Sequence, residues 1–174
     1  MSQRGFTLLE LLITLIILSL LLAWGIPSLQ SQIHQTQTRT ATLSLYEAIQ
    51  TARVRAITRN GRATLRAKGN WDRGWELFDD LNHNGERDPG EALILEHQTP
   101  GSDIRISGNS KVSRYISYIG TGESRHATGT PRGGFQAGTI TICPEAGSEG
   151  YKLVLARMGR VRQQVIDAEE CLDA

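Results

Sequence analysis

The segment Asp80-Leu81-Asn82-His83-Asn84-Gly85, continued to Asp88 and Glu91, spaces oxygen-bearing side chains at alternating positions around a glycine. Hard cations such as calcium take six to eight oxygen ligands, and loops with this spacing supply them. Asp80, Asn82, Asn84, Asp88 and Glu91 would be the side-chain ligands, with the backbone carbonyl of Glu86 adding one. The flanks read as strands rather than helices, and Pro89 lies inside the loop, so a hairpin tip built from turn-favouring Asn, Asp and Gly accounts for the same residues. A second candidate is cationic. Arg160 and Arg162 are two apart and share a face if they lie on a strand, and Arg157 sits across a turn at Gly159. Such a cluster can clamp phosphates, or it can be a solvated hairpin face or the partner of an acidic neighbour. Catalysis finds no support. The four histidines are scattered, and no Ser/His/Asp order, phosphate loop or complete dinucleotide fingerprint occurs.

Two further features carry chemistry of a different kind. Cys143 and Cys171 lie far apart, outside any CxxC pair and without histidines at ligand spacing, which argues against zinc. In an exported domain they would form one disulfide closing the C-terminal region. The other feature is Glu10, set inside the run FTLLELLITLIILSLLLAWGI from Phe6 to Ile26. The run has about the ~20 residues that a helix needs to cross a bilayer. A carboxylate at that depth costs roughly 2.5–3.5 kcal/mol on insertion scales and calls for a partner. A cut after Gly5 would create one: the new α-amine of Phe6, a helical turn away on the same or a neighbouring subunit. Arg4 precedes the run and no further cation follows until Arg39, which leaves the N-terminus in the cytoplasm and sends the rest outward.

The elements that position these residues follow from periodicity. Pro27 should kink or interrupt the first helix. Ala41, Leu45, Ala48, Ile49, Ala52 and Ala56 then recur at helical spacing as one apolar stripe, and Asn60-Gly61 reads as the helix end. Beyond Gly61 the pattern becomes short alternating runs: Arg62–Lys68, Gly74–Phe78, Ala92–Glu96, Asp103–Ser107, Val112–Ile119, Thr139–Cys143, Tyr151–Ala156 and Arg160–Val165. Gly120–Gly138 is predicted to be a mobile loop, and Arg53, Arg55, Arg59, Arg62 and Arg66 a solvated helix end and outer strand face. The fold class is therefore α+β, one long helix packed on a mostly antiparallel β-domain. Charge is uneven although the net value is +1: residues 72–103 hold nine Asp/Glu against two Lys/Arg, and residues 105–165 hold nine Lys/Arg against three Asp/Glu.

Gly5-Phe6-Thr7-Leu8-Leu9-Glu10 resembles the type III prepilin motif of type IV pilins and type II secretion pseudopilins. Ala52-Arg53 with Ala56, Gly74-Trp75, the Asp/Asn/Gly-rich loop, Thr-Ile-Thr-Ile-Cys and the closing Gly-Arg-Val-Arg together resemble the GspH/FimT branch of minor pilins and pseudopilins. The resemblance implies a pilin fold in four parts: a leader at 1–5, a transmembrane and filament-core helix at 6–27, an amphipathic helix at 28–61 and a periplasmic β-rich domain at 62–174. It further implies cleavage by prepilin peptidase between Gly5 and Phe6, N-methylation of Phe6, an assembly role for Glu10, and a helix-kinking role for Pro27. The expected protein is a non-enzymatic subunit. It is anchored in the inner membrane by one span, then built with major and minor pilins into a pilus or secretion pseudopilus near its tip. There it would prime or cap assembly. Gly159-Arg160-Val161-Arg162 also resembles the GRxR motif linked to DNA capture in FimT-type pilins, which makes DNA the alternative partner.

Overall fold

The computed structural model describes residues 8–99, 104–144 and 149–172. Helix α1 (Leu8–Arg59) has 52 residues, about 78 Å at 1.5 Å per residue. It runs through Pro27 as one element, so the proline does not divide it. The predicted stripe is its packing face. Leu45, Ile49, Ala52 and Ala56 are essentially inaccessible to solvent, and Ala41 and Ala48 are buried with them. Four alanines on that face let the helix backbone approach the strands closely. The helix closes as expected: Asn60 adopts a left-handed φ of 47° and Gly61 N–H donates to the Ala56 carbonyl (3.1 Å), satisfying a terminal acceptor.

Eight strands follow: β1 (Ala63–Lys68), β2 (Asn70–Asp79), β3 (Leu93–His97), β4 (Ile104–Gly108), β5 (Tyr115–Tyr118), β6 (Gly138–Pro144), β7 (Gly150–Leu155) and β8 (Val161–Ile166). They form two four-stranded sheets of order β3-β2-β1-β5 and β4-β6-β7-β8, and every strand pair is antiparallel. The second half of α1 packs on both sheets. Between them lies a core of Leu45, Ile49, Leu65, Trp71, Trp75, Leu77, Ile116, Ile140, Ile142 and Leu153. Alternation explains the sidedness of the second sheet. Ile140, Ile142, Leu153 and Leu155 point inward. Thr139, Thr141, Lys152 and Val154 occupy the alternate positions, on the opposite face.

Each predicted strand exists, but three expectations change. Gly74 does not open β2; it lies inside a strand that starts at Asn70. A Cβ there would sit 2.2 Å from the His97 carbonyl, so glycine permits the close approach of β3. The run from Val112 is a turn before it is a strand, with Val112 N–H donating to Asn109 (2.9 Å) and β5 beginning only at Tyr115. The segment expected as a mobile loop is tied down: Gln136 donates to the carbonyls of Lys111 and Tyr115 (both 2.9 Å) and accepts from Ser117 N–H (3.0 Å). A short helix, α2 (Ala168–Leu172), was not foreseen. It carries Cys171, which is bonded to Cys143 with Cα atoms 5.7 Å apart. Ile166 packs with the two sulfurs.

Candidate assembly site

The first half of α1 has no fold of its own to pack against. Leu8, Leu9, Leu11, Leu12, Ile13, Leu15, Ile16, Ile17, Leu18, Leu20, Leu21 and Leu22 are all exposed, from 48% for Ile13 to 81% for Leu8. An apolar surface this continuous on every side of a helix is far larger than soluble proteins tolerate and marks a region that lipid or other helices cover. The polar interruptions are already satisfied. Thr14 donates its hydroxyl to the Leu11 carbonyl and Ser19 to the Ile16 carbonyl (2.8 Å each), so neither needs water. Glu10 lies in the first turn, within this surface. Among the described residues no helix is long and apolar enough to cross a membrane. Described side chains begin at Leu8 and run without a break only to Ala23, while the segment the sequence marks extends from Phe6 to Ile26. Gly5 and Phe6, the expected cleavage and methylation residues, lie outside the described residues.

Arginines near the end of α1 and at the start of the β-domain tie the two together, which corrects the solvated reading for Arg53, Arg55, Arg62 and Arg66, while Arg59 is exposed as expected. Arg55 grips the end of β2 with both nitrogens, Nε to Asp79 Oδ1 (2.9 Å) and Nη2 to Oδ2 (2.7 Å). That double hydrogen bond holds the Asp79 carboxyl below its usual range. Arg62 is 5% exposed. It donates to Ser117 Oγ (2.6 Å) and to the carbonyls of Arg125, Thr130 and Pro131 (3.1, 3.3 and 3.3 Å). Burial lowers its pKa, and the carbonyl cradle, with Asp80 nearby, offsets part of the desolvation. Arg66 donates to the Gly85 carbonyl and pairs with Glu86 (2.8 Å). These roles were missed because a sequence shows a cation's number but not the carbonyls it meets. The one available signal was Arg62 directly before the Ala63-Thr64-Leu65 run of small and apolar residues.

The Asp80–Glu91 residues do converge, but on one another and on backbone donors. Asp80 is fully buried and accepts from Thr64 Oγ1 (2.8 Å), Gly85 N–H and Asn84 N–H (3.0 Å each). Asn82 and Asn84 both donate to Asp88 Oδ2 (2.6 and 2.8 Å). Glu91 receives Leu81 N–H (2.8 Å) and Asp88 N–H (3.0 Å), and Asn84 Oδ1 receives Glu86 N–H (2.7 Å). His83 takes the left-handed conformation at φ 63°. The arrangement is a self-capped hairpin tip. Among the described residues, no group of three or more His, Cys, Asp or Glu is placed to hold a metal ion.

Arg157, Arg160 and Arg162 come together on the β7–β8 hairpin, all exposed. Among the described residues none of the three has a side-chain hydrogen bond or ion pair. Their turn is held firmly from beneath. Arg53 donates to the Gly122 and Met158 carbonyls (3.1 and 3.3 Å), and the Tyr118 hydroxyl donates to the Gly159 carbonyl (3.0 Å). Burial pushes the Tyr118 phenol pKa well up. Gly159, at φ 78°, leaves no room for a side chain: a Cβ would meet the Gly122 carbonyl at 2.1 Å.

Comparison with known proteins agrees with this architecture. Residues 41–159 match the family described as type II transport protein GspH, and residues 1–26 match the prokaryotic N-terminal methylation motif. The pilin-like protein PilA1 of Thermus thermophilus is 31% identical over 162 residues, spanning 93% of this chain and 99% of that protein. Two crystal structures of the type IV minor pilin FimU from Pseudomonas aeruginosa share the fold. Their TM-scores are 0.57 and 0.54 at 18% and 19% identity, covering 78% and 75% of this chain and 92% and 94% of theirs. With an N-terminal methylation motif, an exposed apolar helix and a helix-on-sheet domain matched along most of its length, the chain belongs to the GspH family of pilin-like proteins, the minor pilins and pseudopilins of type IV pilus and type II secretion systems.

Proposed function

We propose that this subunit primes or caps a filament near its tip. It would wait in the inner membrane as a single-span protein with residues 62–174 in the periplasm, after prepilin peptidase has cut between Gly5 and Phe6 and methylated the Phe6 amine. The observation that carries the reading is the apolar surface of Leu8–Leu22 with one carboxylate, Glu10, in it. Lipid accepts the leucines but penalises the carboxylate. A bundle of like helices covers the leucines and offers the carboxylate the terminal amines of neighbouring subunits, so the same surface suits both membrane and filament. Mass spectrometry of the protein extracted from its native host tests the processing. The expected product lacks residues 1–5 and carries one methyl on Phe6. An intact N-terminus in assembled material would overturn the scheme.

A second reading is favoured by the three unpartnered arginines on a braced turn: the β7–β8 hairpin binds DNA phosphates. Phosphate contacts release counterions and make affinity fall with salt. Titrating the protein with duplex DNA at several salt concentrations tests it. Arg160→Gln and Arg162→Gln should weaken binding and flatten the salt dependence; equal binding by wild type and double variant would end it.

A further inference from the structure

The outer face of the second sheet, turned away from the core, holds a shallow groove of about 720 Å³. Strand register lays out its floor in rows. Ser107, Thr141, Lys152 and Gln164 stand side by side across β4, β6, β7 and β8, and Thr139, Val154 and Arg162 form the next row. Neighbouring strands lie about 4.8 Å apart, so the first row presents a polar group at every such step. α2 closes one end. The Cys143–Cys171 bond and the Arg105 donation to the Cys171 carbonyl (2.5 Å) hold it there. Glu170 of α2 lines the groove and pairs with Lys152 (2.6 Å).

This floor is polar and largely unsatisfied. Thr141 is only 8% exposed, yet it lines the groove and its hydroxyl has no partner among the described residues. The side chains of Ser107, Thr139, Arg162 and Gln164 have none either among the described residues. A recessed hydroxyl without a protein partner takes its hydrogen bond from whatever fills the groove. The lining selects the chemistry of that occupant. Hydroxyls and an amide match a chain rich in hydroxyls, and the Arg162 guanidinium presents a fork for a carboxylate. Among the described residues no aromatic ring lines the groove to stack a neutral sugar, and Val154 alone is too little apolar surface to anchor a peptide. The carboxylate that already sits on Lys152, that of Glu170, shows what the cations of this groove accept. Duplex DNA would meet the projecting turn at 157–160, whereas the recessed Thr141 is reached by a single thin chain.

We propose that this groove binds an acidic saccharide of the uronic-acid type. Arg162 holds a sugar carboxylate, Thr141 and Gln164 bond its hydroxyls, and Glu170 competes for Lys152 as an internal carboxylate. The inference goes beyond the filament reading and does not depend on it. The test titrates the full chain, held in an uncharged detergent, with oligogalacturonate, with its methyl ester and with oligoglutamate, and follows the heat. The acidic saccharide is expected to bind, and the ester and the peptide at least about tenfold more weakly, the factor that one charge-assisted hydrogen bond supplies. Arg162→Gln should weaken saccharide binding by about the same factor, with Thr141→Val acting in the same direction. Glu170→Gln should tighten it by about threefold, because Lys152 loses its internal partner. Arg132→Gln, which removes an exposed cation away from the groove, should leave it unchanged. Arg162, Gln164 and Glu170 are exposed, so Arg162→Gln and Gln164→Ala carry the test if Thr141→Val fails to fold; an unaltered melting temperature with the disulfide intact confirms folding. No heat with the acidic saccharide, equal affinity for acid and ester, or equal affinity for oligoglutamate overturns the proposal. So does an affinity that Glu170→Gln leaves unchanged. Duplex DNA binding that Arg162→Gln abolishes, with the saccharide silent, assigns the arginine to DNA and likewise overturns it.

Discussion

Asp80 shows how much a single side chain does here. Its two oxygens accept three hydrogen bonds, from the β1 hydroxyl of Thr64 and from two N–H groups of the hairpin tip, in a fully buried position. Removing an acceptor leaves buried donors unsatisfied at about 1–3 kcal/mol each. Asp80→Ala should therefore cost about 3 kcal/mol, read as a lower denaturant midpoint at unchanged slope. Because the tip's oxygens already have protein donors, melting with calcium and with a chelator should coincide. A rise in melting temperature with calcium would instead show that Asp80, Asn82, Asn84, Asp88 and Glu91 rearrange around the ion. Arg62 makes a matching case. Its fork reaches one hydroxyl and three carbonyls at once, which a lysine ammonium cannot reproduce. Arg62→Lys should speed proteolysis within residues 119–137, and an unchanged cleavage pattern would show that the loop is held elsewhere. The spacing of the Asp80 residues was legible in the sequence as an oxygen cluster. What the oxygens bind was not, because an N–H from the backbone leaves no mark in the letters.

At the scale of elements, the alternation of apolar and polar residues located every strand, and the alanine-rich stripe located the buried face of α1. The failures have a common cause. Gly74, the turn at Val112 and the braced segment after Tyr118 are all set by contacts with chain distant in sequence: the His97 carbonyl for the first, the Trp71 indole and the Thr139 carbonyl for the second, Arg62 and Ser117 for the third. The Cys143–Cys171 bond closes a loop of separation 28, for which chain entropy gives about 3–4 kcal/mol. Reduction should lower stability by an amount of that order, and equal midpoints with and without reductant would contradict it. Acid should act in two steps. Burial lowers the pKa values of His97 and His126, so the unfolded chain binds more protons than the native one below about pH 6.5. That part of the stability is present at neutral pH and is lost as pH falls from there towards the native pKa values. The Arg55 hydrogen bond lowers the Asp79 pKa. Its contribution is present above the unfolded value of about 3.9 and is lost as pH falls below it. Melting temperature followed from pH 8 downward should decline first near pH 6 and again below pH 4, and His97→Gln should weaken the first decline alone.

For the whole molecule, the governing feature is that one continuous helix serves two solvents. Its second half is core to the β-domain, and its first half is exposed apolar surface. The same helix reaches the arginine turn, because Arg53 holds that turn through the Gly122 and Met158 carbonyls. Arg53→Ala should free the turn, raising amide exchange at residues 157–160 without unfolding the domain. The most direct test of the account separates membrane insertion from assembly. A carboxylate in the apolar run costs roughly 2.5–3.5 kcal/mol in lipid, so Glu10→Ala should enter the membrane at least as well as the wild type. If Glu10 acts by pairing in a helix bundle, the same variant should be missing from sheared filaments. Quantifying the protein in membrane and filament fractions of one culture decides the matter. Full membrane signal with lost filament signal is the expected result. Glu10→Ala present in filaments at the wild-type level would contradict the central claim.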